Sequence, residues 1–231
     1  MRKDRIEREF NKKRDGLYLR KFNGELTYEG MYHHKLLVRA TNAKYKRHRP
    51  TYAEVSVTDN FKDFQFFANW CNNQVGFGTN GFVLEKDLLV PNNKVYSEDT
   101  CVFVPDVINS FLTFNKTRDN GLPVGVSWSS TEDCYKSYCA QLNGKNKTLG
   151  RFTNPKDAFN AYCKFKEAMA QKLVETYSGQ IDARAIEALS SFKVEKYTKE
   201  RNYEQTQNQT RCRATTQLYP IPNIKGLSST Q

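Results

Sequence analysis

The fold is decided by one stretch, Gly81-Phe-Val-Leu-Glu-Lys-Asp-Leu-Leu-Val90, continued by Pro91-Asn-Asn-Lys-Val-Tyr96 and Cys101-Val-Phe-Val-Pro-Asp-Val-Ile-Asn109. Apolar residues on both sides of Glu85-Lys-Asp87 predict strands at 81–84 and 88–90. Pro91 and two asparagines predict a turn. Cys101–Val104 predicts a further strand, and Pro105-Asp106 opens a helix that we expect to run to about Phe114.

This hairpin and helix can bring an acidic side chain and the amide of Asn109 onto one divalent cation. Such oxygen donors suit a hard cation such as Mg²⁺. In one-metal hydrolysis of a phosphodiester, the ion stabilises the leaving oxygen and the phosphate, and a separate base activates water.

Upstream of this stretch, the sequence predicts helices. Residues 1–15 are highly charged and predict a helix with little apolar face, and a second helix is expected over about Tyr28 to Tyr45, before Pro50. Side chains alternate in character over residues 52–57, a pattern that predicts a short strand. Phe61, Phe64, Phe67 and Trp70 recur at helical spacing, which favours a core-facing helix over a base-stacking platform.

Downstream, three strands and a long helix are expected after a polar linker at 115–121. The strands are predicted at 124–128, 135–142 and 145–151, with a hairpin at Asn143-Gly144. In the second strand we expect Tyr138, Ala140 and Leu142 to point inward, and Cys139 and Gln141 outward. A helix is expected from about 153 to 175 and a shorter one over 181–192.

The predicted fold class is α+β, with a small ββα unit preceded by helices and followed by a three-stranded antiparallel sheet on one helix. We expect five regions: a basic helical region at 1–50, the ββα domain at 51–115, the sheet domain at 122–176, a C-terminal helix at 177–199 and a flexible basic tail at 200–231.

The charge is uneven along the chain. The net charge is +11 overall. Residues 1–50 hold 15 basic and 6 acidic side chains, whereas residues 51–100 hold 3 and 7. Basic segments attract polyanions by counterion release. The sequence therefore predicts a nucleic-acid partner, bound by basic segments that flank an acidic centre.

Several classes of protein are disfavoured. No apolar run reaches the 18 to 20 or so residues of a membrane span, and the charged N-terminus lacks a secretory signal. The six cysteines include no CxxC pair, so we expect reduced thiols and no zinc. The Gly76–Gly81 string matches GxGxxG but lacks the strand before it and the helix after it, so a plain turn is expected.

The motifs around Glu85-Lys-Asp87, Tyr96-Ser97, Cys101–Pro105 and Ile108-Asn109 closely resemble phage HNH-type endonucleases. That family has a ββα-metal fold in which an Asp–His pair ends the first strand, an asparagine in the middle holds the hairpin loop, and a helix residue completes the metal site.

The resemblance implies a role for each matching residue. Glu85 and Asn109 are the implied metal ligands, and Asp87 is a second carboxylate beside them. Lys86 stands where the family has its general base, histidine, and Thr100 falls near the middle asparagine. The role of Lys86 stays open between a base of lowered pKa, a phosphate clamp and a relic, and His33, His34 or His48 could supply the base instead.

The second half resembles the Apetala-type (ethylene-response-factor-like) DNA-binding domain, through Gly125-Val126, Trp128, Asn143-Gly-Lys145 and Ala158 with Ala161-Tyr162. In that domain a sheet lies in the major groove, a known way of reading DNA. The implied DNA-binding residues are Ser127, Ser129, Lys136, Gln141, Asn143, Lys145, Asn146, Lys147, Thr148 and Arg151.

The resemblances imply a metal-dependent DNA endonuclease of phage homing or nicking type, with Lys86, Asp87 and Asn109 as catalytic residues and Mg²⁺ or Mn²⁺ as cofactor. The expected partner is double-stranded DNA without a membrane, and we favour a monomer in the cytoplasm of a bacterial host. The alternative is a catalytically impaired DNA-binding protein on the same scaffold. A protein–protein adaptor is a weaker third reading.

Overall fold

The computed structural model describes residues 8–114 and 121–198 as a mixed α+β fold. Its helices and strands are built around a three-stranded antiparallel sheet and several two-stranded ribbons. Among these described residues, no helix combines the length and the apolar composition that a membrane crossing requires. The predicted tail at 200–231 lies outside the described residues.

The described N-terminal segment consists of two hairpins. Strands β1 (Lys13–Arg14) and β2 (Leu17–Tyr18) form the first, and β3 (Lys21–Phe22) and β4 (Glu25–Leu26) form the second. The predicted helix over 1–15 is therefore wrong for its described part. The reason is local, because Asp15-Gly16 and Asn23-Gly24 take positive φ angles and form the two-residue turns that hairpins favour.

The helix predicted over about Tyr28 to Tyr45 is present but is divided into two, because Asn42 ends the first helix and its side chain caps the second. Helix α1 (Tyr28–Thr41) is capped by the Thr27 side chain, which accepts the Gly30 N–H, and α2 (Ala43–His48) ends before Pro50. The predicted strand at 52–57 is shorter than expected. Only β5 (Ser56–Val57) pairs, in parallel with β7 (Val95–Tyr96).

The core-facing position predicted for the aromatic residues of 61–70 is confirmed, but these residues lie on two helices and not on one. These are α3 (Asp59–Lys62) and α4 (Phe64–Asn72), which are separated where Asp63 caps α4. Phe61, Phe67 and Trp70 are buried and pack on one another. Residues 76–81 form a turn with Gly76, Gly78 and Gly81 at positive φ, as predicted.

The deciding stretch forms an antiparallel ribbon followed by a helix. Strand β6 (Phe82–Glu85) pairs with β8 (Val102–Pro105), with Glu85 opposite Val102. Helix α5 (Asp106–Phe111) follows directly and is shorter than predicted. Residues 88–90 form no strand, because the chain turns away from the ribbon after Glu85.

The C-terminal half has the predicted sheet. Strands β9 (Val126–Ser129), β10 (Cys134–Ala140) and β11 (Asn146–Phe152) form an antiparallel sheet in the order β11-β10-β9. Helix α6 (Pro155–Tyr177) packs on one face of it, and α7 (Ala183–Ser190) packs on α6. Asn154 caps α6, with Pro155 in its first turn.

The predicted facing of β10 is wrong. Cys139 is 3% exposed and lies under α6, whereas Tyr138 is 40% exposed and lies on the open face with Ala140. A one-residue error in register exchanges the two faces of a strand. Here the small thiol packs under the helix, and the larger ring remains outside. Leu142 packs against the core, as predicted.

The ribbon and the sheet share one hydrophobic core. Leu88, Val104 and Ile108 belong to the same cluster of buried residues as Tyr162 and Leu173 of α6. The predicted linker at 115–121, of which 115–120 lies outside the described residues, therefore separates two segments that are packed together.

A buried lysine joins the two halves. Lys166 of α6 is 5% exposed, and its ammonium donates to the Phe111 carbonyl at the end of α5 at 2.5 Å. The ammonium also lies 4.4 Å from the centre of the Phe111 ring and 5.0 Å from that of Phe114. A cation at a helix C-terminus is favoured by the helix dipole.

Burial lowers the pKa of Lys166, and Cys139 partly opposes this. Between that lowered pKa and the unfolded value of about 10.4, the unfolded chain binds more protons than the folded chain. Stability relative to Lys166→Met should therefore rise with pH through this window. Urea unfolding at pH 7, 8.5 and 10 measures it, with the exposed Lys172→Met as control. Parallel curves for wild type and Lys166→Met would contradict the prediction.

Candidate functional site

One cleft brings together the residues predicted to carry the chemistry. Glu85, Lys86, Asp87 and Asn109 all line a cleft of about 890 Å³. Glu85 is the last residue of β6, Lys86 and Asp87 come directly after it, and Asn109 lies on α5. By register, Glu85 lies opposite Val102, whereas α5 begins after Pro105, at the other end of the ribbon. Helix α5 packs against β6, and its second turn brings Asn109 to the same cleft.

The Glu85 carboxylate is buried and held by the backbone. The residue is 5% exposed, and its Oε1 accepts the N–H of Lys86 at 2.9 Å and of Asp87 at 2.6 Å. Burial raises the pKa of Glu85, although the two N–H bonds act in the opposite direction. The orientation of this side chain is therefore set by its own turn.

Lys86 points along the loop that follows it. Its ammonium lies 2.5 Å from Asp87 Oδ1 and 2.8 Å from the Asn93 carbonyl oxygen. The Lys86 side chain is 11% exposed and that of Asp87 is 39% exposed. A buried ammonium needs such partners because desolvation is costly. Lys86 thus joins Asp87 to the far side of the loop.

Asn93 closes this loop and was missed in the sequence. Its side-chain N–H groups donate to the carbonyls of Lys86 at 3.0 Å and Val95 at 2.6 Å, and its oxygen accepts the Val95 N–H at 2.9 Å. Thr100, which the resemblance placed near this role, bonds locally to Ser97 and Val95. The signal for Asn93 was its place in an Asn-Asn turn, since asparagine bonds readily to nearby backbone.

The C-terminal part of the described chain also holds the loop that follows Lys86. The Tyr197 hydroxyl donates to the Leu88 carbonyl at 3.0 Å, and the Asn92 amide donates to the Lys196 carbonyl at 3.1 Å. Burial, with the nearby Glu85 and Asp87 carboxylates, raises the pKa of Tyr197 to about 12. No sequence pattern indicated this contact, because it spans more than 100 residues.

Helix α1 contributes a different kind of wall. Tyr28, Tyr32, Lys35 and Arg39 all line the cleft, and their spacing puts them on one helix face. Arg39 donates to the Tyr96 hydroxyl at 3.0 Å. The sequence signal was the i, i+4 spacing of rings and cations.

The three histidines lie elsewhere, because none is among the described residues that line the cleft. His33 is 1% exposed, with Nδ1 2.9 Å from Arg20 and Nε2 3.1 Å from the Lys62 carbonyl. Arginine can only donate and a carbonyl can only accept, so the ring is neutral with its proton on Nε2. His34 is exposed, and His48 contacts the Lys44 carbonyl.

We expect His33 to titrate below its ordinary value of about 6.5, because burial and then Arg20 lower its pKa. The unfolded chain then binds more protons than the folded chain below that value, so stability should fall as the pH falls from about 6.5 toward the folded pKa. An NMR titration of the three histidine ring signals, assigned with the help of His33→Gln, measures the pKa of His33. A His33 pKa at or above 6.5 would sink the prediction.

The predicted DNA-binding residues lie on or beside the sheet, apart from the cleft. By register, Lys136 on β10 and Arg151 on β11 are partners, and Ser127 on β9 pairs with Lys136. They share the open face with Tyr138. The further residues of that face or of the turn at its edge are Ser129, Gln141, Asn143, Lys145, Asn146 and Thr148.

Lys147 lies differently from the others. It pairs with the buried Cys139, so it belongs to the helix-side face, and its ammonium lies 5.1 Å from the centre of the Phe165 ring. Its side-chain direction is therefore toward α6 and away from the open face.

The open face carries one acidic group between its cations. Glu132 forms ion pairs with both Lys136 and Arg151. The hydrogen bonds from Lys136 and Arg151 hold the pKa of Glu132 below its ordinary value. The carboxylate therefore lies where a phosphate would meet the same two cations.

The oxygen donors of the cleft suit a hard divalent cation. Two carboxylates, Glu85 and Asp87, and the amide of Asn109 are hard oxygen donors. Mg²⁺ usually keeps several waters and binds through one or two carboxylates, so these side chains fit it. In the part of the chain that the structure describes, no three His, Cys, Asp or Glu residues are grouped as a metal cage.

The chain matches no protein-family model, no curated protein and no solved structure. The case for any function therefore depends on the residues of the cleft and the sheet.

Proposed function

We propose that this protein is a divalent-metal-dependent DNA endonuclease of the HNH type, which hydrolyses phosphodiester bonds beside the cleft. The observation that carries the proposal is that Glu85, Asp87 and Asn109 line the same cleft, together with the cations Lys35 and Arg39. Carboxylates alone would repel a phosphodiester. Cations in the same cleft attract it.

The chain's own groups divide the work. Glu85 and Asn109 would hold the ion, which when bound supplies stabilisation of negative charge at the phosphate. The exposed side of Asp87 accepts the proton of the attacking water, while Lys86 keeps that carboxylate in place. Arg39 and Lys35 bind the neighbouring phosphates, and the sheet holds the duplex through Arg151 and its neighbours.

A plasmid assay tests the proposal. Purified protein is incubated with supercoiled plasmid and with phage genomic DNA, in Mg²⁺, Mn²⁺ or EDTA. Metal-dependent nicks or cuts are expected with the wild type, and Asn109→Ala should cut much more slowly. If neither DNA is cut in either metal, the nuclease proposal fails. If Asn109→Ala cuts as fast as wild type, the assigned site is wrong.

A second candidate is a DNA-binding protein without catalysis. It is favoured by the Lys86–Asp87 ion pair and by the absence of histidine from the described residues of the cleft. It predicts salt-dependent duplex binding with no cleavage. Binding measured in EDTA at several salt concentrations, for wild type and Arg151→Gln, examines this property separately from cutting.

The open face offers a direct check on duplex binding. Because the Glu132 carboxylate offsets part of the charge of Lys136 and Arg151, Glu132→Gln should tighten duplex binding by a few fold at low salt, with a steeper salt dependence. Fluorescence anisotropy with a labelled duplex measures this. The matched control is Glu187→Gln, an exposed residue of α7. Unchanged or weaker binding by Glu132→Gln would show that this face does not meet phosphates.

A further inference from the structure

The wall that α1 gives to the cleft interleaves aromatic rings with cations. Tyr28, Tyr32, Lys35 and Arg39 follow one another along one helix face and all line the cleft. The Arg39 guanidinium lies 5.5 Å from the centre of the Tyr52 ring, which also lines the cleft. Hydrolysis as proposed above uses the cations but has no need of the rings.

The rings are held in position before any ligand arrives. The Tyr32 hydroxyl donates to the Phe82 carbonyl at 3.1 Å, and Tyr28 stacks on Tyr32 with ring centres 6.4 Å apart and planes 24° apart. Tyr52 is braced edge-on by Tyr45, with ring centres 5.5 Å apart. Groups that are already ordered lose little freedom on binding.

A wall of rings interleaved with cations is suited to an unpaired strand and not to a continuous duplex. In a duplex the faces of the bases are stacked on each other, and only their edges are accessible in the grooves. Aromatic side chains stack on bases that are unpaired, while cations between the rings follow the backbone. The open face of the sheet, in contrast, is polar and basic and contains a single large ring, Tyr138.

We propose that the cleft binds an unpaired DNA strand, with its bases against Tyr28, Tyr32 and Tyr52 and its phosphates at Lys35 and Arg39. The preferred substrate is then a duplex that carries a single-stranded stretch, such as a flap or a gap, next to the cleavage site. The placing of cleavage rests on the proposed function. Binding of the strand requires no metal.

The test uses the full chain in EDTA, so that no cutting occurs. Three labelled DNAs of equal length are compared by fluorescence anisotropy: a single strand, a flush duplex and a duplex with a six-nucleotide flap that contains 2-aminopurine. We expect the flapped duplex to bind more tightly than the flush one, with quenching of 2-aminopurine by stacking. Tyr52→Leu and Tyr28→Leu should each weaken single-strand binding about fivefold or more.

The matched control is Tyr177→Leu, a half-buried ring of α6 that is not in the cleft, and it should leave single-strand binding unchanged. Thermal melting identifies any variant that fails to fold. For the wild type, photocrosslinking of a 4-thiothymidine strand provides a measurement that needs no variant, and crosslinks are expected within residues 28–52.

Equal affinity for flapped and flush duplexes, or crosslinks confined to residues 126–152, would overturn the proposal. These outcomes are independent of catalysis. A protein that cuts flush duplex but ignores the flap would refute the strand site and keep the nuclease. A protein that binds the flap and cuts nothing in Mg²⁺ or Mn²⁺ would support the strand site and refute the nuclease.

Discussion

An alanine at position 125 should lower the free energy of unfolding by about 3 kcal/mol or more. Gly125 has φ +74°, a conformation that costs an L-residue with a side chain. A Cβ at this position would lie 2.1 Å from one carbon of the Tyr162 ring and 2.6 Å from another. Tyr162 is buried under the sheet, so the ring cannot swing away without opening the core.

The matched control is Gly144→Ala. Gly144 has a similar φ of +80°, but no atom lies within 4 Å of a Cβ built there. It should therefore cost only the backbone strain, about 1 kcal/mol. Urea unfolding of both variants separates strain from collision. Equal losses in the two variants would show that Tyr162 does not press on Gly125.

Replacing Glu85 with glutamine should reduce cleavage by about 100-fold or more, if the nuclease proposal is right. Glutamine keeps the shape of the side chain and one oxygen that can accept the Lys86 and Asp87 N–H groups. It loses the negative charge that a divalent cation needs. The protein should therefore stay folded and bind DNA in EDTA as the wild type does.

Cleavage rates at saturating DNA, with Mg²⁺ varied, measure this effect. The exposed Glu187→Gln should cut at the wild-type rate. A Glu85→Gln enzyme that keeps wild-type activity would exclude Glu85 as a metal ligand, whereas one that loses DNA binding as well would indicate a wider structural role.

The elements that the sequence predicted correctly are those with local signals. Strands β6 and β8 each depend on a short apolar run. The starts of α1 at Tyr28 and of α6 at Pro155 likewise depend on residues within a few positions. The hairpins at Asp15-Gly16 and Asn23-Gly24 carried an equally local signal. The helix prediction was wrong for residues 8–15 because it weighed charge above turn residues.

Facing and long-range contacts were beyond the sequence. Tyr138 and Cys139 are both compatible with a core position, and only the packing of α6 decides that the thiol lies inside. The Tyr197 bond to the Leu88 carbonyl and the Lys166 bond to the Phe111 carbonyl join residues far apart in the chain. Such pairs leave no periodic trace.

The sequence by itself determined the chemical groups of the candidate site and the α+β class, because residue type and local spacing are properties of the chain. Only the tertiary structure decided that Glu85, Asp87 and Asn109 share a cleft with Arg39, that Lys86 is engaged by Asp87, and that His33 is buried away from them. The physical reason is that these relations depend on how α1 and α6 pack against the ribbon, and packing is a property of the whole core.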